Sequence, residues 1–405
     1  MCLTDFNGPP PAPEEKYRFT TSAERERRLG ELRKEMDAEN LAALVVCGRD
    51  DIRYRGRTFY VSDVWQLLAD THVVILRDGD PIFIGGQVFG LAQAEETDWA
   101  AEFRVNGDPG KEIAAVLKEN GVADQRIGLV GISDSSFAHG HYEDLAAGAP
   151  DAELVDATGL FESVRHSNSP EEMKALEATS SVFRDIYSVI DGVVKPGMTE
   201  IELAAAAHRI SREHGLRDPM VLLQTTPYGA LSFGTTKVID KSDVVTVWVE
   251  SAGPSGHWLE YRQCYSFGTP SSEHQEFWEL QKASLAAGLA AIRPGAMASD
   301  FVNAVQDRMK EGGYDLGFAD ADDCRGMFSL HGIGSDAIQG VWVPGNNRVL
   351  KEDEVVNVHP TVQFPSDEER RKFGWLGVTD NVRVTPDGGR FMTHDENLER
   401  GFIEL

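Results

Sequence analysis

Cysteine is scarce in this sequence. Its 405 residues include four, Cys2, Cys47, Cys264 and Cys324, with no CxxC pair among them. That scatter excludes a cysteine-built zinc site or a disulfide framework and fits a reducing compartment. Long apolar runs are also missing. None approaches the ~20 residues that a bilayer-spanning helix needs. The opening MCLTDFNGPPPAPEEKYRFT lacks the apolar core of a signal peptide. Basic charge is in short supply, with 39 Lys and Arg against 66 Asp and Glu and a formal net charge of -27. Such a surface repels nucleic-acid phosphates and anionic lipid, so neither is expected as a partner, and the acidic excess serves solubility. The expectation is a cytoplasmic protein acting on a small-molecule substrate.

What is present is enough for two globular domains. A 41% hydrophobic, 26% charged composition excludes wholesale disorder and coiled coil, and the length allows two separate cores. Met1 to about Pro13 reads as a polar, proline-rich arm. A helix follows between Ser22 and Asn40, with Leu29, Leu32 and Met36 at helical spacing. The runs Leu41–Cys47, His72–Arg77 and Pro81–Ile84 read as strands, with a hairpin about Arg77–Asp80. Lys111–Asn120 reads as a helix and Arg126–Gly131 as a strand. His139 and His141 share a His-x-His spacing, but the setting reads as a polar loop. This alternation predicts an α/β domain over residues 1–166.

Ser169-Pro-Glu-Glu172 opens the second domain, residues 167–405, with a serine cap, a proline at the first helical position and acidic residues in the first turn. Its helix runs to Val194, where Lys195-Pro-Gly197 stops it. The next begins at Thr199 with Glu202 as a capping box. The string Val194-Lys-Pro-Gly-Met-Thr-Glu-Ile-Glu-Leu203 is echoed by Ile292-Arg-Pro-Gly-Ala-Met-Ala-Ser-Asp-Phe301. A long apolar-periodic helix precedes each copy, and strands follow, Val244–Val249 and Glu354–Val358. The matching context predicts an internal duplication, two halves placing two sheets face to face with a cleft between them.

These segments, together with His331-Gly-Ile-Gly334, Asp353-Glu-Val-Val-Asn-Val-His-Pro360 and Asp380-Asn-Val-Arg-Val-Thr-Pro-Asp-Gly388, resemble the family of creatinase, prolidase, aminopeptidase P and methionine aminopeptidase. The resemblance implies a mixed α/β (α+β) chain. A creatinase/prolidase-type N-terminal domain would precede a pita-bread catalytic domain with an internal pseudo-twofold. It also implies a homodimer. The family's peptidases hold two divalent metals with two aspartates, a histidine and two glutamates. Carried over position by position, the first aspartate falls on Trp248. The second falls on Glu260, or on Leu259 if the intervening loop is one residue shorter. The histidine is retained as His331; the glutamates become His359 and Thr379, the latter before Asp380. An indole and a hydroxyl cannot replace the carboxylates that bridge paired hard cations. The expectation is therefore no metal and no cofactor. A single metal on Glu260, His331 and His359 is the variant weighed against it, with Glu250 two residues past Trp248 on the same strand face.

Creatinase shows that the fold can hydrolyse a C–N bond without metal. Its glutamate lies in a context like Leu259-Glu-Tyr-Arg262. The histidine it needs near Gly229–Phe233 is missing here, and its second glutamate corresponds to His359. The catalytic set expected instead is His331, His359 and Glu260, an imidazole acting as general base with a carboxylate to orient it or to protonate the leaving group. Arg262 is placed to bind a substrate carboxylate. Trp248, Tyr228 and Trp258 would form an apolar or cation–π wall, with Thr379, Asp380 and Glu250 lining the same cleft. Read without function, Glu260 and Arg262 form a buried ion pair, and His208, His214, His257 and His394 are structural. The leading functional expectation is a metal-independent, creatinase-like hydrolase of a small metabolite. The alternatives are a lyase working by proton abstraction and elimination, a metal-dependent Xaa-Pro peptidase with altered ligands, and a non-catalytic binding protein.

Overall fold

The computed structural model describes residues 20–65, 68, 70–85, 99, 102–134, 136–227, 231–316, 330–339, 345–360, 362, 364–393 and 403–405, with the backbone alone at 330–332. They divide into two compact units between Glu171 and Glu172. No described helix is long and apolar enough to cross a membrane.

The first unit is built on a six-stranded mixed sheet. Its strands are β1 (Ala43–Gly48), β2 (Thr71–Leu76), β3 (Ile82–Gly85), β4 (Glu102–Val105), β5 (Arg126–Val130) and β6 (Glu153–Asp156), in the order β4-β3-β2-β1-β5-β6. Central β1 pairs antiparallel with β2 and parallel with β5, and all six of its residues are buried. A strand covered on both faces reads as a continuous apolar run, as Ala-Leu-Val-Val-Cys does. Helix α1 (Ser22–Ala38) covers one face through Leu29, Leu32 and Met36. Its cap is Thr21, whose hydroxyl accepts from the Glu24 N–H at 3.2 Å. After α2 (Arg55–Tyr60), helix α3 (Pro109–Glu119) covers the other face. His139 and His141, expected in a loop, lie in the first turn of α4 (His139–Gly148).

Helix α5 (Thr158–Arg165) carries Glu162, which accepts from Arg57 Nε at 2.8 Å and Arg165 Nη2 at 2.6 Å. Burial pushes the Glu162 carboxyl up, but the charges of Arg165 and Arg57 outweigh it and hold the pKa at about 2, against an ordinary 4.5. A carboxylate depressed on folding contributes stability above its unfolded pKa and loses it as pH falls through the folded one. The unit should therefore lose about 3 kcal/mol as pH drops from about 4.5 to about 2. Urea unfolding of Glu162→Gln across that range checks this; an acid slope as steep as in the parent chain would refute it.

The second unit carries the predicted duplication. Helix α6 (Pro170–Asp191) leads to α7 (Glu200–Glu213), and α8 (Ser272–Ala291) leads to α9 (Ala298–Glu311). The two junctions superimpose in detail. Gly197 and Gly295 have φ of 89° and 88°, a region where glycine alone carries no steric cost. Each N–H donates at 2.9 Å, to Ile239 O and to Leu350 O. Glu202 accepts from the Thr199 N–H at 2.7 Å and Asp300 from the Met297 N–H at 2.9 Å. Each half contributes a four-stranded sheet. One comprises β7 (Arg217–Thr225), β8 (Val244–Ala252), β9 (Trp258–Ser266) and β14 (Ile403–Glu404). The other comprises β10 (Leu330–Gly332), β11 (Val355–Val358), β12 (Asp380–Thr385) and β13 (Gly388–Phe391). The sheets meet where Arg262 N on β9 donates to Thr379 O, at 3.4 Å. Helices α8 and α9 bury Phe277, Leu285, Phe301 and Val305 against Val356, Val382 and Val384 of the second sheet.

Candidate active site

The antiparallel pairing of β8 with β9 decides which residues share a face. Trp248 stands opposite Arg262, Glu250 opposite Glu260, and Ser251 opposite Leu259. Directly opposed residues project to the same side, and side chains alternate along each strand. Trp248, Glu250, Glu260 and Arg262 therefore share one face and Leu259 the other. Of the two residues left open by the sequence, Glu260 is the one on the face of Trp248. All four are buried, with Glu260 1% and Glu250 6% exposed.

The second sheet closes on this face through two asparagines. Asn381 donates to the Glu260 carbonyl at 2.8 Å and accepts from the Glu260 N–H at 3.2 Å. Asn357, paired with Asn381 in the β11–β12 ladder, donates to the Asn381 amide oxygen at 3.1 Å and to Glu260 O at 3.3 Å. Both are fully buried. Sequence reasoning passed over them, although asparagine in a strand interior is uncommon enough to be a signal.

His359 follows β11 and is buried, its ring 5.3 Å from that of Trp248 at an interplanar 60°. Trp375, also missed in the sequence, meets Trp248 at 5.7 Å. It is held from β7, where Gln224 Oε1 accepts its N–H at 3.0 Å. A side chain on Gly374, whose φ is +54°, would collide with that same Gln224 amide. A tryptophan framed by Gly374 and Gly377 in a loop was the available clue.

The remaining expected residues sort as follows. The Asp380 carboxylate accepts from the N–H groups of Asn381, at 2.6 Å, and Thr393, at 3.2 Å. Its Oδ1 thereby ties together two stretches of main chain. Trp258, two residues before Glu260 on β9 and so on the same face, has no exposed area, and its main-chain N–H donates to Gly334 O at 2.6 Å. Arg262 does not ion-pair with Glu260 among the described residues; its guanidinium lies 5.1 Å from the Trp248 ring centroid, and Nη2 donates to Val378 O at 3.0 Å. That corrects the buried-pair reading. His331 has its backbone in β10 opposite Asn357, while its side chain lies outside the described residues. So does Tyr228.

Burial, followed by the charge of Glu260, pushes the Glu250 carboxyl well above its ordinary range. Two carboxylates opposed in a dry site cannot both ionise cheaply. Burial also lowers the Arg262 pKa, yet a guanidinium stays protonated. Trp248 Nε1, Arg262 Nε, Thr379 Oγ1 and Glu250 Oε1 are buried without a hydrogen-bond partner among the described residues. Buried polar atoms in that condition need a ligand or water to offset lost solvation.

The donor set does not fit a dinuclear metal centre. Trp248 and Thr379, at two of the five positions that the resemblance assigns to metal ligands, bring no charged oxygen. Among the described residues, no three His, Cys, Asp or Glu side chains converge as ligands.

Residues 172–386 match metallopeptidase family M24, and residues 28–167 match the creatinase/prolidase N-terminal domain. An uncharacterized peptidase of Bacillus subtilis is 27% identical over 276 residues, covering 65% of this chain and 72% of its own. A Xaa-Pro dipeptidase of Lactobacillus helveticus is 21% identical over 383 residues, 90% and 98% of the two chains. Among solved structures, a Xaa-Pro dipeptidase from Bacillus anthracis matches with a TM-score of 0.75 at 20% identity, covering 94% of this chain and 100% of that one. The prolidase from Pyrococcus horikoshii matches at 0.73 and 16%, covering 92% and 99%.

Proposed function

Because the chain belongs to metallopeptidase family M24, we propose that it is a hydrolase of a C–N amide bond in a short peptide or similarly small molecule. The relatives carry the names of dipeptidases and prolidases, which favours, among the earlier expectations, the metal-dependent Xaa-Pro peptidase with altered ligands over the metal-independent, creatinase-like hydrolase. The observation that carries a hydrolytic site is the buried face of Glu250, Glu260 and His359 grouped about Trp248.

The imidazole of His359 is suited to take a proton from water as that water attacks the carbonyl carbon. The Glu250–Glu260 pair, holding a proton between two opposed carboxyls, returns one to the leaving nitrogen as the C–N bond breaks. The proton on His359 then restores the pair. No step is routed through a metal, since Trp248 and Thr379 stand where the resemblance assigns two of the carboxylates for paired ions. Trp375 and Trp248 supply an apolar side to the site.

A metal-dependent peptidase with altered ligands is the second reading, favoured by the names of the relatives. A panel of Xaa-Pro and non-proline dipeptides, assayed with metal content measured before and after exhaustive chelation, separates the two. Turnover that survives chelation is expected. Loss on chelation with recovery on Mn²⁺ would establish the second reading, and no turnover of any peptide would sink both. Product formed in ¹⁸O-water should carry the label; unlabelled product would mean elimination by a lyase.

A further inference from the structure

We propose that Arg262, Trp248 and Thr379 form an anion hole that takes the charged oxygen produced when the substrate carbonyl is attacked, so that a fixed guanidinium serves where the family uses metal ions. This rests on the hydrolytic reading. Arg262 and its two neighbours each present a hydrogen-bond donor with no acceptor among the described residues: Arg262 Nε, Trp248 Nε1 and Thr379 Oγ1. Arg262 faces Trp248 across the β8–β9 ladder and bridges to Thr379 at the sheet junction. Among the described residues its guanidinium donates one hydrogen bond, to Val378 O. A cation 3% exposed, with donors unspent, is costly in a folded protein unless an anion completes it.

The surroundings indicate which anion. The wall beyond Arg262 is Gly377, where an added Cβ would sit 2.8 Å from Nη2 and 3.4 Å from the Gln281 amide. Gln281 Oε1 is an acceptor without a partner among the described residues, and Glu260 lies two residues along β9 on the same face. Those oxygens oppose a permanent anion more than a charge that exists only during reaction. Selective stabilisation of such transient charge raises kcat. In the step itself, the water oxygen bonds to the carbonyl carbon and the π pair moves onto the carbonyl oxygen, facing the three donors. On collapse the C=O re-forms, the C–N pair leaves with nitrogen, and nitrogen takes a proton.

The test uses the full chain labelled with ¹⁵N-arginine and titrated with methylphosphonate, a tetrahedral anion, and separately with acetate. Methylphosphonate should shift the Arg262 Nε–H signal, assigned by its loss in Arg262→Lys, and should bind at least tenfold more tightly than acetate. Trp248→Phe and Thr379→Val, each lacking one donor, should weaken methylphosphonate several-fold and keep the parent circular dichroism, which guards against a lysine variant that fails to fold. On a hydrolysed substrate, Arg262→Lys should lower kcat 10²- to 10³-fold with little change in KM. An Nε–H signal unmoved by methylphosphonate, or wild-type kcat in Arg262→Lys, overturns the hole while leaving hydrolysis in place. Binding at Arg262 without turnover of any amide overturns hydrolysis and leaves the hole as an anion site.

Discussion

Glutamine in place of Glu260 is expected to lower kcat about 10²- to 10⁴-fold on the best-hydrolysed dipeptide, the range of positioned acid–base catalysis. The two side chains are nearly isosteric, and Asn357 and Asn381 grip the main chain of residue 260, not its carboxyl. The substituted protein should therefore fold and bind with KM close to the parent value. Its loss would lie in chemistry: the amide can neither share the proton of Glu250 nor pass one to a leaving nitrogen. Steady-state kinetics beside urea unfolding decides the matter. A variant of unchanged stability and near-parental kcat would remove Glu260 from the mechanism, whereas a collapsed fold would show that the residue is structural.

Leucine in place of Asn381 should act on stability, costing about 3–5 kcal/mol. Three hydrogen bonds disappear at once, to Glu260 O, from Glu260 N and from Asn357 Nδ2. The partners stay buried where the two sheets join. Two units predict two unfolding transitions, and only that of the Glu172–Leu405 unit should move to lower urea. A shift below about 1 kcal/mol would mean that the junction is held by other contacts.

Local chemistry made much of the fold legible. The paired Pro-Gly strings fix turns that only glycine accepts, and Thr199 with Glu202 writes a helix start, so the duplicated architecture followed from residues near each other in the chain. The site was legible only where a single position carries the meaning, as at Trp248. Strand alternation could not choose between Leu259 and Glu260, because the length of a hairpin loop is not written in its strands. The Asn357–Asn381 clamp joins residues 24 apart and reaches across to a different sheet; no periodicity announces such a contact. The resemblance places Asp380 in the cleft by its position after Thr379, and no sequence pattern announces that its Oδ1 accepts from the main chain of Asn381 and Thr393.

The clamp has a wider meaning. By gripping residue 260 through its peptide groups, the second sheet fixes the position of whatever side chain stands there and is indifferent to its identity. The scaffold works as a socket, with the fittings exchangeable. The side chain at position 260 can therefore be exchanged while the main-chain grip stays in place. That is how a single architecture comes to host divergent chemistries, and it marks positions 248, 260 and 379 as the places to begin redesigning this one.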